Sequence, residues 1–378
     1  MKQIQVRKLR WRPFELHLSE LFESSWGAIK SRAGILVSIS DSEGFEGFGE
    51  VNPIPEYTGG FTTLRELGTE GAAFADVSRQ FNCLDSENFG LSMFDFSSKG
   101  SLLAWNACKM ALLDAEARKF DLPLHLERPA HSRFAISTNG LLADSTLDRT
   151  LTHAADLVSS GYSTLKLKIG LKSLDEDIET IRQIRAVCPD TKLRLDVNGA
   201  WSLETAKTAV KKLLPYDIEL IEQPTDPDDL ESLAEVHTIS SIPIAADEAI
   251  YRNSERTNQI VRARAVDILV LKPMLIGGIR ETVGLAEWAS KYEIDSYVTT
   301  TFDSAIGVSM AIHAEESLPW QAAHGLSTGE QMLDDVAITP LPINGEIQIP
   351  KGLGLGISPD VDMLETVATA PWQEIIYG

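Results

Sequence analysis

The spacing of apolar positions divides the chain into two regions with different predicted structure. In the first third, residues 32–39 and 45–51 have the composition of strands, and the turn-forming sequence at 41–44 predicts that they form a β-hairpin. An Ala- and Leu-rich stretch at 102–120 predicts a long helix, and Pro123 follows closely enough to help end it. This region is therefore predicted to be mixed α+β.

From residue 133 onward, short apolar runs alternate with helical stretches, and the pattern recurs about every 25 to 30 residues. Ser173 with Glu176 fits a capping box, and Ser202 is a candidate N-cap. The apolar runs predict strands at 134–137, 165–169, 193–197, 218–222, 244–247, 267–271, 296–299 and 322–325. The stretches between them predict helices such as 174–187, 203–214, 228–237 and 281–292.

Eight alternations of strand and helix predict a parallel sheet that closes into a (β/α)8-type barrel. A doubly wound open sheet is the structural alternative, although it rarely needs so many regular units. A nucleotide-binding loop is not indicated, because no Gly-rich fingerprint follows any predicted strand. Gly352, Gly354 and Gly356 also have no clear strand–turn–helix context.

The chain is strongly acidic, with 34 Lys and Arg against 55 Asp and Glu and a formal net charge of −21. Such a charge repels phosphate backbones and anionic membranes, so we expect no nucleic-acid partner and no membrane partner. It leaves room for a small anionic substrate, because a pocket can be locally positive around a metal ion. Oligomeric state stays open.

The cysteines and the amino terminus predict a cytoplasmic protein. Cys83, Cys108 and Cys188 are too few and too scattered for a disulfide framework or a zinc cluster, so we expect reduced, buried thiols. Residues 1–20 have no continuous apolar region of the kind found in signal peptides. No apolar run approaches the roughly 20 residues that cross a bilayer.

Acidic residues fall at the predicted ends of three consecutive strands, namely Asp196, Glu222 and Asp247. Parallel strands of a barrel bring their carboxyl ends to one rim, where barrel active sites are built. Three buried carboxylates repel one another unless a cation lies between them. Oxygen ligands favour Mg²⁺, with Mn²⁺ as a possible substitute, over zinc.

Lysines flank this predicted metal site in strand order. Lys166 and Lys168 share one face of their strand because side chains alternate with period two, and Lys272 ends a later strand. A lysine acts as a general base only when its neutral form is accessible, and a second cation two residues away favours that form. The alternative is that these lysines only form salt bridges with the carboxylates.

A metal that binds a carboxylate substrate, beside a lysine base, makes the proton α to that carboxylate removable. The residues therefore predict an enzyme that forms an enediolate from a small-molecule carboxylate. The competing class is a non-catalytic barrel that has kept the fold, and in that case Lys168→Ala would abolish no activity.

Five segments together resemble the enolase superfamily, muconate-lactonizing-enzyme subgroup. They are Lys-x-Lys at 166–168, Asp-Val-Asn-Gly-Ala-Trp at 196–201, Ile-Glu-Gln-Pro at 221–224, Ala-Asp-Glu at 246–248 and Leu-Lys-Pro at 271–273. The resemblance implies a (β/α)7β barrel at 131–327 with an α+β capping domain. That domain is formed by residues 1–130, which include Gly-Glu-x-x-Pro-x-Pro at 49–55, and by a returning segment at 328–378.

Within the subgroup, the chain is most similar to the o-succinylbenzoate synthase family, through segments 49–55 and 299–307 and through Arg194. N-succinylamino acid racemase and dipeptide epimerase remain alternatives, and muconate cycloisomerase is a further candidate. Dipeptide epimerases usually carry Asp-x-Asp on the last strand, whereas this chain has His-Gly-Leu-Ser at 324–327. That difference argues against a substrate with a free amino group.

The resemblance also implies roles for individual residues. Lys168 is expected to take the α-proton and return it to the departing hydroxyl, while Lys272 acts electrostatically. Asn198 and Glu248 are expected beside the metal ligands. The loop at 18–26, with Phe22 and Trp26, is expected to close over the substrate. Substrate contacts are expected from Arg194, Thr299, Ser304 and Gly325.

Overall fold

The structure is a computed structural model, and it describes residues 5–24, 27–52, 54, 72–81, 99–124, 135–251, 253–316, 318 and 322–377. The amino-terminal part, called the cap below, is a mixed α+β unit, as predicted. Its elements are β1 (Val6–Ser24), β2 (Gly27–Asp41), β3 (Glu46–Val51), α1 (Ala72–Phe81) and α2 (Lys99–Lys119).

The cap sheet packs closely on α2. Strands β2 and β3 pair antiparallel across the turn at 42–45, which confirms the predicted hairpin. Gly47 and Gly49 of β3 lie against α2, and a Cβ at either position would overlap backbone atoms of that helix. Glycine is therefore required here for the close approach of strand and helix. Cys108 of α2 is buried and free, as predicted, whereas Cys83 lies outside the described residues.

The middle of the chain is a parallel barrel of strands that alternate with helices. Seven strands follow one another in the order β11-β10-β9-β8-β7-β6-β5. The elements are β4 (Ala135–Ser137), β5 (Gly140–Leu142), α3 (Leu147–Ser159), β6 (Thr164–Lys168), α4 (Leu174–Val187), β7 (Lys192–Asp196), α5 (Leu203–Lys212), β8 (Ile218–Glu222), α6 (Leu230–Ile239), β9 (Ile244–Ala246), α7 (Ser254–Ala263), β10 (Ile268–Leu271), α8 (Pro273–Ile276), α9 (Ile279–Ser290), β11 (Asp295–Val298) and α10 (Ala305–Glu316).

The barrel closes through the short segment 323–326, which bridges its first and last sheet strands. Gly325 pairs with Thr299 at the end of β11, and His324 pairs with Thr138 just before β5. This segment takes the place of the eighth strand predicted at 322–325, so the barrel is of the (β/α)7β type, with stacked layers of side chains inside and helices outside.

The first barrel strand differs from the prediction. The sequence predicted it at 134–137, but β4 pairs antiparallel with β12 (Glu346–Gln348), and the barrel strand is β5. The apolar run is misleading because residues 135–137 pair with a strand from the far end of the chain. Phe134 itself lies outside the described residues.

The helix starts follow the capping chemistry read from the sequence. Ser173 and Glu176 form the predicted capping box of α4, with both reciprocal hydrogen bonds present. The Ser202 hydroxyl accepts a hydrogen bond from the Thr205 N–H at the start of α5. No helix among the described residues has the length and apolar composition needed to cross a membrane.

After the barrel, the chain returns to the cap. Helix α11 (Val361–Val367) precedes β13 (Gln373–Ile376), and β13 pairs antiparallel with β1 at the edge of the cap sheet. The domain boundaries at 130/131 and 327/328 stay predictions, and residues 125–134, around the first of them, are outside the described structure.

Candidate active site

Three carboxylates lie side by side at the carboxyl ends of consecutive barrel strands. Asp196 ends β7 and Glu222 ends β8, and the two residues are register partners. Asp247 directly follows β9, the next strand of the sheet. Each of the three residues is at most 1% exposed. The strand-end pattern therefore brings these residues to one rim.

Lysine ammonium groups pair with these carboxylates. Lys166 Nζ lies 2.9 Å from Asp196 Oδ2 and 2.7 Å from Glu222 Oε2. Lys272 Nζ forms an ion pair with Asp247. In the described part of the chain, the carboxylates do not gather as a group of three around one point, which the sequence had led us to expect. The reason is that buried carboxylates need positive counter-charges, and lysines of neighbouring strands supply them.

The pairing leaves part of the negative charge poorly compensated. Burial raises the pKa of Glu222 to about 7, and the Asp196 carboxylate adds to the rise. Burial also raises the pKa of Asp247 to about 6, although Lys272 opposes the shift. Burial lowers the pKa of Lys166, but the Asp196 and Glu222 carboxylates raise it by more, so this ammonium stays charged. Additional positive charge at this rim is therefore favourable.

Lys168 is held by a chain of side chains that runs across the rim. Its Nζ donates to Asp196 Oδ2 at 2.6 Å and to Asn198 Oδ1 at 2.7 Å. Asn198 Nδ2 in turn donates to Glu248 Oε1 at 2.8 Å. Asn198 and Glu248 thus lie next to the carboxylate group, as expected, and they orient Lys168 toward it.

Lys168 and Lys272 stand on opposite sides of the barrel. Lys168 ends β6, the second of the seven sheet strands from β5, and Lys272 follows β10, the sixth. With the closing segment counted as the eighth strand, the two lysines are four strands apart, which is half of the way around the barrel. The backbone N–H of Lys272 donates to the hydroxyl of Tyr251 at 2.8 Å, which fixes the start of α8. The two amines therefore approach the rim from opposed directions.

A tyrosine that the sequence reading missed supports the carboxylate group from inside the barrel. The Tyr297 hydroxyl donates to Glu222 Oε2, and the Arg194 guanidinium lies 4.8 Å from the centre of the Tyr297 ring. Tyr297 and Thr299 are two residues apart on β11 and its end, so they share a face. That alternation is the sequence signal by which Tyr297 can be assigned to the barrel interior.

A pocket lies between this rim and the cap. On one side it is lined by Lys166, Lys168, Asp196, Asn198, Asp247 and Lys272. Across the barrel it is lined by uncharged residues, namely Asn139, Leu141, Thr299, Thr300, Thr301, Phe302, Gly325, Ser327 and Thr328. The cap contributes Phe22, Gly27, Ala28, Ile29, Arg32 and Ile54. Thr299 and Gly325 are thus placed in the pocket, as expected.

The cap segment expected to be a loop is largely part of a strand. Residues 18–24 continue β1, with a shift in pairing register between His17 and Phe22. The Phe22 ring packs edge-on against Phe302 at 4.7 Å and lies 5.7 Å from Lys168 Nζ. The hairpin tip therefore covers the pocket with an aromatic ring, whereas Trp26 lies outside the described residues.

Two predicted substrate contacts are not among the described residues that line the pocket. Arg194 is fully buried below Asp196, where its Nε donates to Glu219 Oε2 at 2.6 Å and its Nη1 to the Ala323 carbonyl at 2.7 Å. It lies one side chain layer deeper, because it precedes Asp196 by two residues on the same strand face. Ser304 is also fully buried, and its hydroxyl donates to Glu50.

Comparison with known sequences agrees with this geometry. Residues 149–363, more than half of the chain, match the family described as Enolase C-terminal domain-like. The hydrophobic dipeptide epimerase of Enterococcus faecalis (strain ATCC 700802 / V583) is 28% identical over 365 residues, which cover 94% of this chain and 100% of that protein. The o-succinylbenzoate synthase of Mycobacterium ulcerans (strain Agy99) is 34% identical over 215 residues, which cover 56% of this chain and 62% of that protein.

Solved structures share the same architecture. Muconate lactonizing enzyme from Pseudomonas fluorescens, complexed with muconolactone, superposes with a TM-score of 0.83 at 22% identity, covering 96% of this chain and 99% of that one. The dipeptide epimerase from Enterococcus faecalis V583, complexed with Mg and the dipeptide L-Leu-L-Tyr, gives a TM-score of 0.79 at 25% identity, with coverages of 93% and 99%. The fold, a (β/α)7β barrel with a capping domain, is shared with these enzymes, and the chain belongs to the Enolase C-terminal domain-like family of the enolase superfamily.

Proposed function

We propose that this protein is an o-succinylbenzoate synthase, a cytoplasmic carbon–oxygen lyase. In this reaction 2-succinyl-6-hydroxy-2,4-cyclohexadiene-1-carboxylate loses its α-proton and its ring hydroxyl from the same face, giving 2-succinylbenzoate and water. The product is a precursor of menaquinone or phylloquinone. The substrate is a small dianion, and three lysines of this acidic chain, Lys166, Lys168 and Lys272, line the pocket, where they would attract such a dianion.

The observation that carries this choice is the composition of the pocket wall opposite the lysines. Among the described residues that line it, this wall has no carboxylate. Its polar side chains are hydroxyls and one amide, from residues 139, 299–301 and 327–328, beside Leu141, Phe302 and Gly325. A substrate with a free ammonium group requires a carboxylate partner when it is buried. The cap adds a guanidinium, Arg32, to the same pocket. Both features suit a substrate tail that ends in an oxygen anion.

The carboxylate group fits a divalent cation by its charge and its donor atoms. Four carboxylates, from Asp196, Glu222, Asp247 and Glu248, face three ammonium groups, from Lys166, Lys168 and Lys272. Asp196, Glu222 and Asp247 would hold Mg²⁺, or Mn²⁺ in its place, through oxygen atoms alone. When bound, the ion stabilises negative charge that develops on the substrate carboxylate. With a divalent ion bound and Lys168 still protonated, one substrate carboxylate would bring the sum of these charges to zero.

The two lysines then divide the work of the dehydration. Lys168, oriented by Asn198, removes the α-proton as a neutral amine and delivers the same proton to the leaving hydroxyl on the same face. Lys272 reaches the pocket from the opposite side and contributes positive charge beside the electron-rich intermediate. Phe22 and Phe302 exclude water from above. Aromatisation of the ring makes the overall step favourable.

A second function, racemisation of N-succinylamino acids or epimerisation of dipeptides, is favoured by the opposed positions of Lys168 and Lys272. One lysine on each face of an α-carbon is what proton removal and return with inversion requires. The two functions are separated by assaying the cyclohexadiene substrate in parallel with an N-succinylamino acid in D₂O. Faster dehydration supports our proposal, whereas faster deuterium exchange into the amino acid favours the racemase.

A further inference from the structure

A buried amide in the pocket wall has a side chain oxygen without a hydrogen-bond partner. Asn139, which directly precedes β5, is 2% exposed and lines the pocket. Its Oδ1 atom has no partner among the described residues. Buried polar side chains are nearly always hydrogen-bonded, so this carboxamide has a bonding capacity that the described residues do not use.

The backbone of Asn139 is hydrogen-bonded on both sides of its Cα atom, which fixes the position from which the side chain extends. Its N–H donates to the His324 carbonyl at 2.9 Å. Its carbonyl accepts the Ser327 hydroxyl at 2.7 Å. The first bond connects Asn139 to the closing segment of the barrel and the second to the residue just after that segment, so both fix the backbone and neither uses the carboxamide.

Strand register places Asn139 next to a glycine niche. Thr138 pairs with His324, and Gly325 pairs with Thr299, so Asn139, Gly325 and Thr299 lie at one level on three neighbouring strands. A Cβ at Gly325 would overlap the Thr299 Oγ1 atom. The Thr299 side chain therefore occupies the space that a side chain at position 325 would take, and the wall at this level, called the glycine niche, is formed by a carboxamide, a hydroxyl and a glycine.

The chemistry of the niche suits a ligand oxygen. A carboxamide can present its N–H₂ group to a ligand after a half-turn about its last side chain bond, with no change in shape. Nearby, Arg32 of the cap donates its Nε to the Thr301 carbonyl at 3.1 Å and so brings positive charge to this wall. Neutral donors beside a guanidinium are a typical setting for a carboxylate.

We propose that Asn139 is a specificity-determining residue that donates a hydrogen bond to the terminal carboxylate of the succinyl tail. This inference rests on the proposed function, because it names the part of that substrate which the niche holds. The carboxylate on the ring lies across the pocket with the lysines, so Asn139 distinguishes substrates by their tail and takes no part in proton transfer.

The test measures binding of the product and of an analogue that lacks the tail carboxylate. Titration calorimetry with Mg²⁺ present compares 2-succinylbenzoate and 2-butanoylbenzoate on the wild type, Asn139→Asp and Asn139→Ala. Asn139→Asp adds a negative charge at unchanged shape, so we expect affinity for 2-succinylbenzoate to fall at least about tenfold. Affinity for 2-butanoylbenzoate should change less than about twofold in both variants. For 2-succinylbenzoate, Asn139→Ala should lose less affinity than Asn139→Asp does.

The outcomes separate this inference from the proposed function. Suppose that the wild type binds 2-succinylbenzoate, and that the Asn139 variants lose equal affinity for both compounds or lose none. Either result overturns the role of Asn139 but leaves the proposed function standing. A wild type that neither binds nor forms 2-succinylbenzoate overturns both proposals. The Mg²⁺-dependent rise in melting temperature, measured on each variant, shows whether the variant is folded, and Asn139→Ala decides the question if Asn139→Asp does not fold.

Discussion

The carboxylate of Glu50 in the cap accepts the backbone N–H of Ser304, at 2.9 Å, where α10 of the barrel begins. It also accepts the Ser304 hydroxyl and, at 3.0 Å, the N–H of Gly307. One cap residue thus satisfies the free N–H groups of a barrel helix. The segment immediately before this helix, Thr299–Phe302, lines the pocket, so Glu50 couples the position of the cap to the shape of the pocket.

This contact predicts a pH-dependent stability. Burial raises the pKa of Glu50 from 4.5 to about 8, and Asp303 adds to the rise. Between these values the folded protein holds a proton that the unfolded chain has released, so stability falls as the pH rises through this window. Between pH 6 and 8.5, the free energy of unfolding of the wild type, measured in urea, should fall by about 2 kcal/mol relative to that of Glu50→Gln. The glutamine of this variant does not ionise.

The amide of Glu50→Gln replaces one acceptor oxygen, so this variant should be less stable than the wild type at pH 6. The gap, which is the difference between their free energies of unfolding, should narrow toward pH 8.5. Glu204→Gln, at an exposed position of α5, removes a carboxylate without burial and serves as the control. A gap that is constant or widens with pH would contradict the assigned role of Glu50.

Replacing the proposed base should remove catalysis but keep the fold. For Lys168→Met we expect kcat to fall by about a thousandfold, because proton transfer loses its acceptor. Formation of 2-succinylbenzoate is followed by its aromatic absorbance, and Mg²⁺ binding by calorimetry. Lys212→Met is the matched control, since Lys212 is a half-exposed lysine paired with Asp175. Residual turnover near the wild-type rate in Lys168→Met would rule out this base.

A side chain at position 325 should lower the stability of the protein and weaken product binding. Gly325→Ala introduces a Cβ that overlaps Thr299, so we expect a loss of about 1–3 kcal/mol in unfolding free energy and weaker product binding. Adding Thr299→Gly to the same chain removes the overlap and should restore much of the stability without restoring binding. Both properties are measured by urea unfolding and calorimetry.

Gly284→Ala provides the control for this series. Gly284 lies within α9, and a Cβ there has no neighbour within 4 Å. Because alanine has the higher helix propensity, this substitution should stabilise the protein by about 0.5–1 kcal/mol. Equal effects of the two Gly→Ala changes would show that the niche is not tightly packed.

Binding of Mg²⁺ should compete with protons. The pKa of Glu222 is raised to about 7 and that of Asp247 to about 6, so both carboxylates are increasingly protonated below neutrality. A metal binds only the ionised form, and we expect its affinity to drop by at least about tenfold from pH 8 to pH 6. Glu222→Gln should weaken binding at both pH values, whereas the exposed-site variant Asp175→Asn should not. A pH-independent affinity would place the metal elsewhere.

The sequence predicts the rim of the site better than its interior. Strand ends are marked by single charged residues, and parallel topology alone brings Asp196, Glu222 and Asp247 to one rim. Depth along a strand is not encoded in the same way. Arg194 has the same alternation as Asp196 but lies one layer lower, where it pairs with Glu219.

Long-range contacts account for the other differences between expectation and structure. Ser304 is drawn away from the pocket by Glu50, which is 254 positions earlier in the chain. Strand β4 pairs with β12 outside the barrel, so the first barrel strand is the next one along the chain, β5. Asn139 lacks any local motif, and only the register between β5 and the closing segment reveals that it faces the pocket.

The central claim is that opposed lysines and a metal-binding carboxylate group catalyse a dehydration. The most direct measurement is the rate of 2-succinylbenzoate formation by the purified protein, from the cyclohexadiene substrate, as Mg²⁺ is added after chelator treatment. We predict aromatic product that appears only with Mg²⁺, at a rate that saturates with the metal. Absence of the product at saturating Mg²⁺, or an equal rate in the presence of chelator, would contradict the account.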